Sequence, residues 1–129
     1  MTMENLRGLE RVAEVAREEL ASKHASREQG LSASRHITRL SANAIRAVHR
    51  RDFDGAKHLL DEAANSMADT ASILQNNPEI YFAGYMSDSR KEFAEASITL
   101  ALIAGTPIPQ PNELGVEAAP YLNGMGEVI

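Results

Sequence analysis

Lys91-Glu92-Phe93-Ala94-Glu95-Ala96-Ser97-Ile98-Thr99-Leu100-Ala101-Leu102-Ile103-Ala104 decides the fold. From Ser97 onward it has almost no polar face, so it predicts a helix largely buried among other helices. Its first half sets Glu92 and Glu95 three residues apart, on one helix face. Asp88, four residues before Glu92, falls within about 60° of them at roughly 100° per residue. Like charges stacked in this way repel, and a half-buried carboxylate needs a cation or a donor. A divalent metal is one answer. First-turn charges favoured by the helix dipole, or partners for Arg90 and Lys91, are the other.

Working outward from that helix, the spacing predicts helices almost everywhere. Leu6, Leu9, Val12, Ala13, Ala16 and Leu20 recur at threes and fours and predict a first helix from about Glu4 to Ser26, with a narrow seam for helix–helix packing. Gly30 is expected to weaken it, with Ser32 or Ser34 capping a second helix that runs to Arg51. A third is expected from about Gly55 to Leu74, capped by Asp54, with Ala56, Leu59, Leu60, Ala63, Met67, Ala71 and Leu74 inside. Asn77-Pro78-Glu79 restarts the chain into a fourth stretch, broken near Gly84 to Ser87 and ending at Ala104 with Gly105 as its cap. The Pro-rich connector, residues 105–117, leads to Tyr121-Leu122-Asn123-Gly124-Met125-Gly126-Glu127, which opens another helix. The expected fold is an all-α antiparallel bundle of four to five helices in a single domain, residues 1–129.

Composition removes several classes of function. The 129 residues contain no cysteine, which excludes disulfides and thiolate metal sites and points to a reducing cytoplasm. No apolar stretch reaches the ~20 residues that span a bilayer. His24, His36, His49 and His58 lack zinc-type spacing, and neither a Gly-rich phosphate loop nor a nucleophile elbow is present. Net charge is −5, unevenly spread: residues 23–51 hold seven of the thirteen Lys and Arg and one acid, Glu28. Arg35, Arg39, Arg46 and Arg50 fall within about 60° of one another, opposite Ile37, Leu40, Ala44 and Val48, with His49 beside them. Such a stripe either pairs with acids on neighbouring helices or holds a phosphate backbone without reading sequence. Scarce aromatics argue against a platform built on base stacking.

Four pieces of the chain, in order, resemble the translin and Trax family, in particular its shorter archaeal relatives. Ser34-Arg35-His36-Ile37 through Ser41, Ile45-Arg46 and His49-Arg50 resemble the family's second helix. Lys91-Glu92-Phe93-Ala94-Glu95-Ala96 resembles the Trax pattern Gln-Glu-Tyr-x-Glu-Ala. Glu113-Leu114-Gly115-Val116 and Tyr121 to Glu127 resemble the segment that ends Tyr-Leu-Leu-Gly-x-x-Asp, with Glu127 at the aspartate. The resemblance implies hollow homo-oligomers that bind RNA or single-stranded DNA inside. In Trax-like members it also implies Mg²⁺-dependent endoribonuclease activity at the acidic positions. Glu92, Glu95 and Glu127 are then the expected catalytic ligands of Mg²⁺ or Mn²⁺, with Asp88 added on helical spacing alone. Arg35, Arg39, Arg46, Arg50 and His49 are the expected nucleic-acid contacts. The family's C-terminal helices are expected to be missing from this chain. Translin-like binding without cleavage, and a helical scaffold with no nucleic-acid role, are the alternatives.

Overall fold

The computed structural model describes residues 1–129 and contains six helices and no strand. In chain order they are α1 (Met3–His49), α2 (Phe53–Ile73), α3 (Pro78–Tyr81), α4 (Gly84–Ala104), α5 (Pro111–Leu114) and α6 (Ala118–Val128). α3 and α5 are single turns, so the all-α bundle is made of four principal helices, α1, α2, α4 and α6. No helix is long and apolar enough to cross a membrane.

The expected break at Gly30 does not occur. α1 runs 47 residues without interruption, started by the Thr2 hydroxyl, which accepts from the Asn5 amide at 3.1 Å. At 1.5 Å per residue that is about 70 Å. Ser34 does not cap a new helix; its hydroxyl donates to the Leu31 carbonyl at 2.9 Å inside the same one. A helical glycine costs about 1 kcal/mol against alanine. Here the bare backbone lets another element approach: a β-carbon on Gly30 would stand 3.2 Å from Ile80 and 3.6 Å from Leu74. Close packing of the α2–α3 corner offsets the local cost.

The Arg50–Asp52 turn reverses the chain. Asp52, not Asp54, caps α2: its carboxylate accepts from the Gly55 amide at 3.0 Å. The helix break expected within Gly84 to Ser87 falls slightly earlier, at Phe82 and Ala83, and α4 starts at Gly84. Asn77, Pro78 and Gly105 take the positions their residue types predict.

The core lies where α1, α2 and α4 meet, and α6 covers α4. Ile37, Leu40, Ala44 and Val48 from α1 meet Ala56, Leu60 and Ala63 from α2 and Phe93, Ala94 and Ile98 from α4, with Val116 and Tyr121 closing one side. Alanines at the contacts let the helix axes come close. Two expectations of burial are corrected. Leu102 and Ile103 are 51% and 39% exposed, because no element covers the outer side of the last turn of α4. The seam of Leu6, Leu9, Val12 and Leu20 also lies open, since the first half of α1 extends beyond the bundle.

Candidate metal centre and nucleic-acid face

Glu92 and Glu95 share the face of α4 that looks toward α6, as spacing of three requires. Glu127 reaches them from the last turn of α6. What brings α6 there is Gly124, three residues earlier on the same side. A β-carbon at Gly124 would stand 2.6 Å from the Lys91 carbonyl oxygen, 3.1 Å from the Glu95 nitrogen and 3.2 Å from the Ala94 β-carbon. Glycine allows backbone to touch backbone, and Glu127 then turns inward. Carboxylate oxygens of Glu92, Glu95 and Glu127 lie within 4.8 Å of one another.

The charges in this cluster are not equivalent. Burial pushes the Glu95 carboxyl up to about 7, helped by a hydrogen bond with Glu127 and by the charges of Glu92 and Glu127. Glu127 moves the other way, held below the usual carboxylate range by the Lys91 hydrogen bond and then by Glu95. Lys91 donates to Glu127 at 2.8 Å and stands 3.7 Å from Glu92. Its ammonium is held above the usual lysine range by that bond to Glu127. Glu95 thus holds its proton only below about pH 7, while the Lys91 ammonium stands between Glu127 and Glu92. Three hard oxygen donors at this spacing, half-buried or exposed, suit Mg²⁺ or Mn²⁺, which keep several waters and need few protein ligands. The Lys91 ammonium is the cation these carboxylates hold, which is the pairing with Lys91 that the sequence also allowed.

The start of α6 is fixed by a group that sequence reading passed over except as a partner for Glu92 or Glu95. Arg90 is 2% exposed. Its Nε stands 2.9 Å from Oε2 of Glu117, an ion pair whose N–H points off the line of a good hydrogen bond. Its other nitrogens donate to the Tyr81 carbonyl at 3.1 Å and to Ser87 at 3.4 Å, and the guanidinium lies 4.2 Å over the Tyr81 ring. The Tyr81 hydroxyl donates to Glu117 at 3.0 Å, and the Tyr121 hydroxyl ties the connector through the Pro109 carbonyl at 2.8 Å. These bonds hold the α3 end, the connector and the start of α6 against α4.

The arginine stripe is exposed. Arg35, Arg39 and Arg46 line a groove of about 500 Å³ together with Thr38 of α1 and Tyr85 and Asp88 of α4. Arg50 and His49 lie at the far end of α1, exposed and outside the groove. None of these arginines has a carboxylate within ion-pair distance; Arg46 donates to Asn43 at 2.7 Å and Arg39 meets His36 at 3.1 Å. Pairing with acids on neighbouring helices within the chain is thus not what the stripe does. Asp88 belongs to this groove, outside the three converging carboxylates. It stands one turn, about 6 Å along the axis, before Glu92. Thr38 and Tyr85 are groove residues that sequence reading missed; the signal at Tyr85 was only an aromatic one turn before Ser89. A larger cavity of about 670 Å³ lies between α2, α4 and the connector and shares none of these residues.

No family model matches the chain. Over 112 residues, 85% of its length, it is 36% identical to an uncharacterised protein of Methanocaldococcus jannaschii. It spans 49% of that curated relative. The crystal structure of apo-NeC3PO resembles 99% of the chain with a TM-score of 0.78, at 24% identity, and the chain covers 64% of it. The fold is translin-like.

Proposed function

We propose that this chain belongs with the translin and Trax proteins, binds RNA or single-stranded DNA as a homo-oligomer, and hydrolyses RNA phosphodiesters with Mg²⁺ or Mn²⁺. The observation that carries the reading is the meeting of Glu127 with Glu92 and Glu95 across two helices, with oxygens within 4.8 Å. The translin-like fold and the unpaired arginine groove support it.

Arg35, Arg39 and Arg46 hold the nucleic-acid backbone through forked guanidinium donors, which need no base to read. Arg50 and His49 extend the positive surface beyond the groove. Asp88 lines the groove one helical turn before Glu92, so a strand held there has a phosphate within reach of the carboxylates. Glu92, Glu95 and Glu127 would hold the ion. When bound, it supplies Lewis acidity at the phosphate and eases ionisation of a water.

The test is incubation of single-stranded RNA with the protein, with Mg²⁺ and with chelator, alongside the Glu92→Gln/Glu95→Gln double variant. Cleavage is expected only for the native chain with metal, while the double variant retains RNA binding that falls log-linearly with rising salt. Undiminished cleavage by the double variant overturns the catalytic assignment. Binding without cleavage by the native chain leaves the translin-like binding module; no binding at all leaves the scaffold.

A further inference from the structure

Lys91 is the group in the carboxylate cluster that the proposed chemistry does not use. It lies on α4 but crosses to α6, and only 22% of its side chain is exposed. Its nitrogen is 2.8 Å from Oε1 of Glu127 and 3.7 Å from Oε1 of Glu92. A flexible lysine at a protein surface gains little from one exposed ion pair. This one is held between two carboxylates from two helices, in the space a cation would take.

The geometry points to Lys91 as the resident second cation of the site, filling the place beside Glu127 and Glu92, so that the chain binds a single divalent ion. The inference rests on the reading of Glu92, Glu95 and Glu127 as metal ligands. Paired metal ions sit ~3.5–4 Å apart on shared carboxylates. An ammonium already within 4 Å of two of the three carboxylates excludes a second ion from that position by charge and by volume. An ammonium has three donors. One goes to Glu127, and Glu92 at 3.7 Å lies beyond hydrogen-bond distance, which leaves two for water or a phosphate oxygen of the bound strand. A lysine can therefore give charge where a second ion would, without having to be bound from solution.

The consequence is measurable without turnover. Removing one positive charge at roughly 5 Å from a divalent ion, near water's dielectric, strengthens ion binding by about tenfold. Mn²⁺ titration by calorimetry, with electron paramagnetic resonance counting bound ions, is applied to the native chain, Lys91→Gln, Lys91→Arg and Glu92→Gln/Glu95→Gln. Circular dichroism checks that each variant is folded. One ion per native chain is expected, with Lys91→Gln binding Mn²⁺ about tenfold more tightly or taking a second ion, and Lys91→Arg staying within twofold of native. A native chain that binds no Mn²⁺ while Lys91→Gln does overturns it as well, because Lys91 would then occupy the place of the first ion rather than the second. Lys91→Gln within twofold of native and still at one ion, weaker binding by Lys91→Gln, or two ions on the native chain overturns it. Mn²⁺ binding that survives in Glu92→Gln/Glu95→Gln, or is absent from both the native chain and Lys91→Gln, overturns instead the metal reading on which it rests.

Discussion

Replacing Gly124 with alanine tests how the site is built. A β-carbon there meets the Lys91 carbonyl oxygen at 2.6 Å and the Glu95 nitrogen at 3.1 Å, both backbone atoms that cannot swing aside. Restoring ordinary contact of about 3.4 Å requires α6 to move from α4 by about 0.8 Å. Overpacking of this kind costs about 1–3 kcal/mol, and alanine returns about 1 kcal/mol of helix propensity. The expected net loss is about 0–2 kcal/mol, read from the urea midpoint at constant slope. Gly126, two residues on in the same helix, has no atom within 4 Å of a built β-carbon. Gly126→Ala should therefore gain about 0.5–1 kcal/mol. The displaced helix carries Glu127, so Mn²⁺ affinity should fall in Gly124→Ala and hold in Gly126→Ala. If both substitutions shift stability alike in sign and size, α6 does not reach α4 through Gly124 and the account of the carboxylate spacing is wrong.

Arg90→Met should destabilise the chain by about 2–3 kcal/mol, at or below the usual range for breaking a buried pair because Glu117 remains partly exposed. Adding Glu117→Gln should recover part of that loss, and a double-mutant cycle in urea measures the coupling. Stability should also fall as pH rises from about 4.5 to about 7. Glu95, pushed up to about 7, keeps a proton in the folded state that the unfolded chain has released, so the native state binds more protons in that window. Discounted for partial solvent screening, the loss is about 1–3 kcal/mol, and Glu95→Gln should flatten the slope. Glu127 acts outside the window: its lowered carboxyl contributes stability present above 4.5 and lost as pH falls through its folded value. Urea unfolding at pH 5 and pH 7.5 checks the sign, and rising stability across that interval would refute it.

Sequence by itself determined what is local. Apolar residues at threes and fours, Pro78 after Asn77, and Gly105 after Ala104 are signals read within one or two turns, and they placed the restart and the end of α4. The same helical arithmetic put Glu92 beside Glu95 and the arginines on one stripe. Family resemblance added Glu127. Other features depended on what packs from a distance. Whether Gly30 breaks a helix or seats another element depends on Ile80 and Leu74, about 45–50 residues away. The reach of Glu127 to α4 depends on a backbone contact at Gly124, and the burial of Arg90 depends on Glu117 and Tyr81. Helix periodicity says which side chains share a face; only the packing of one helix on another decides what that face meets, because those contacts join residues far apart in the chain.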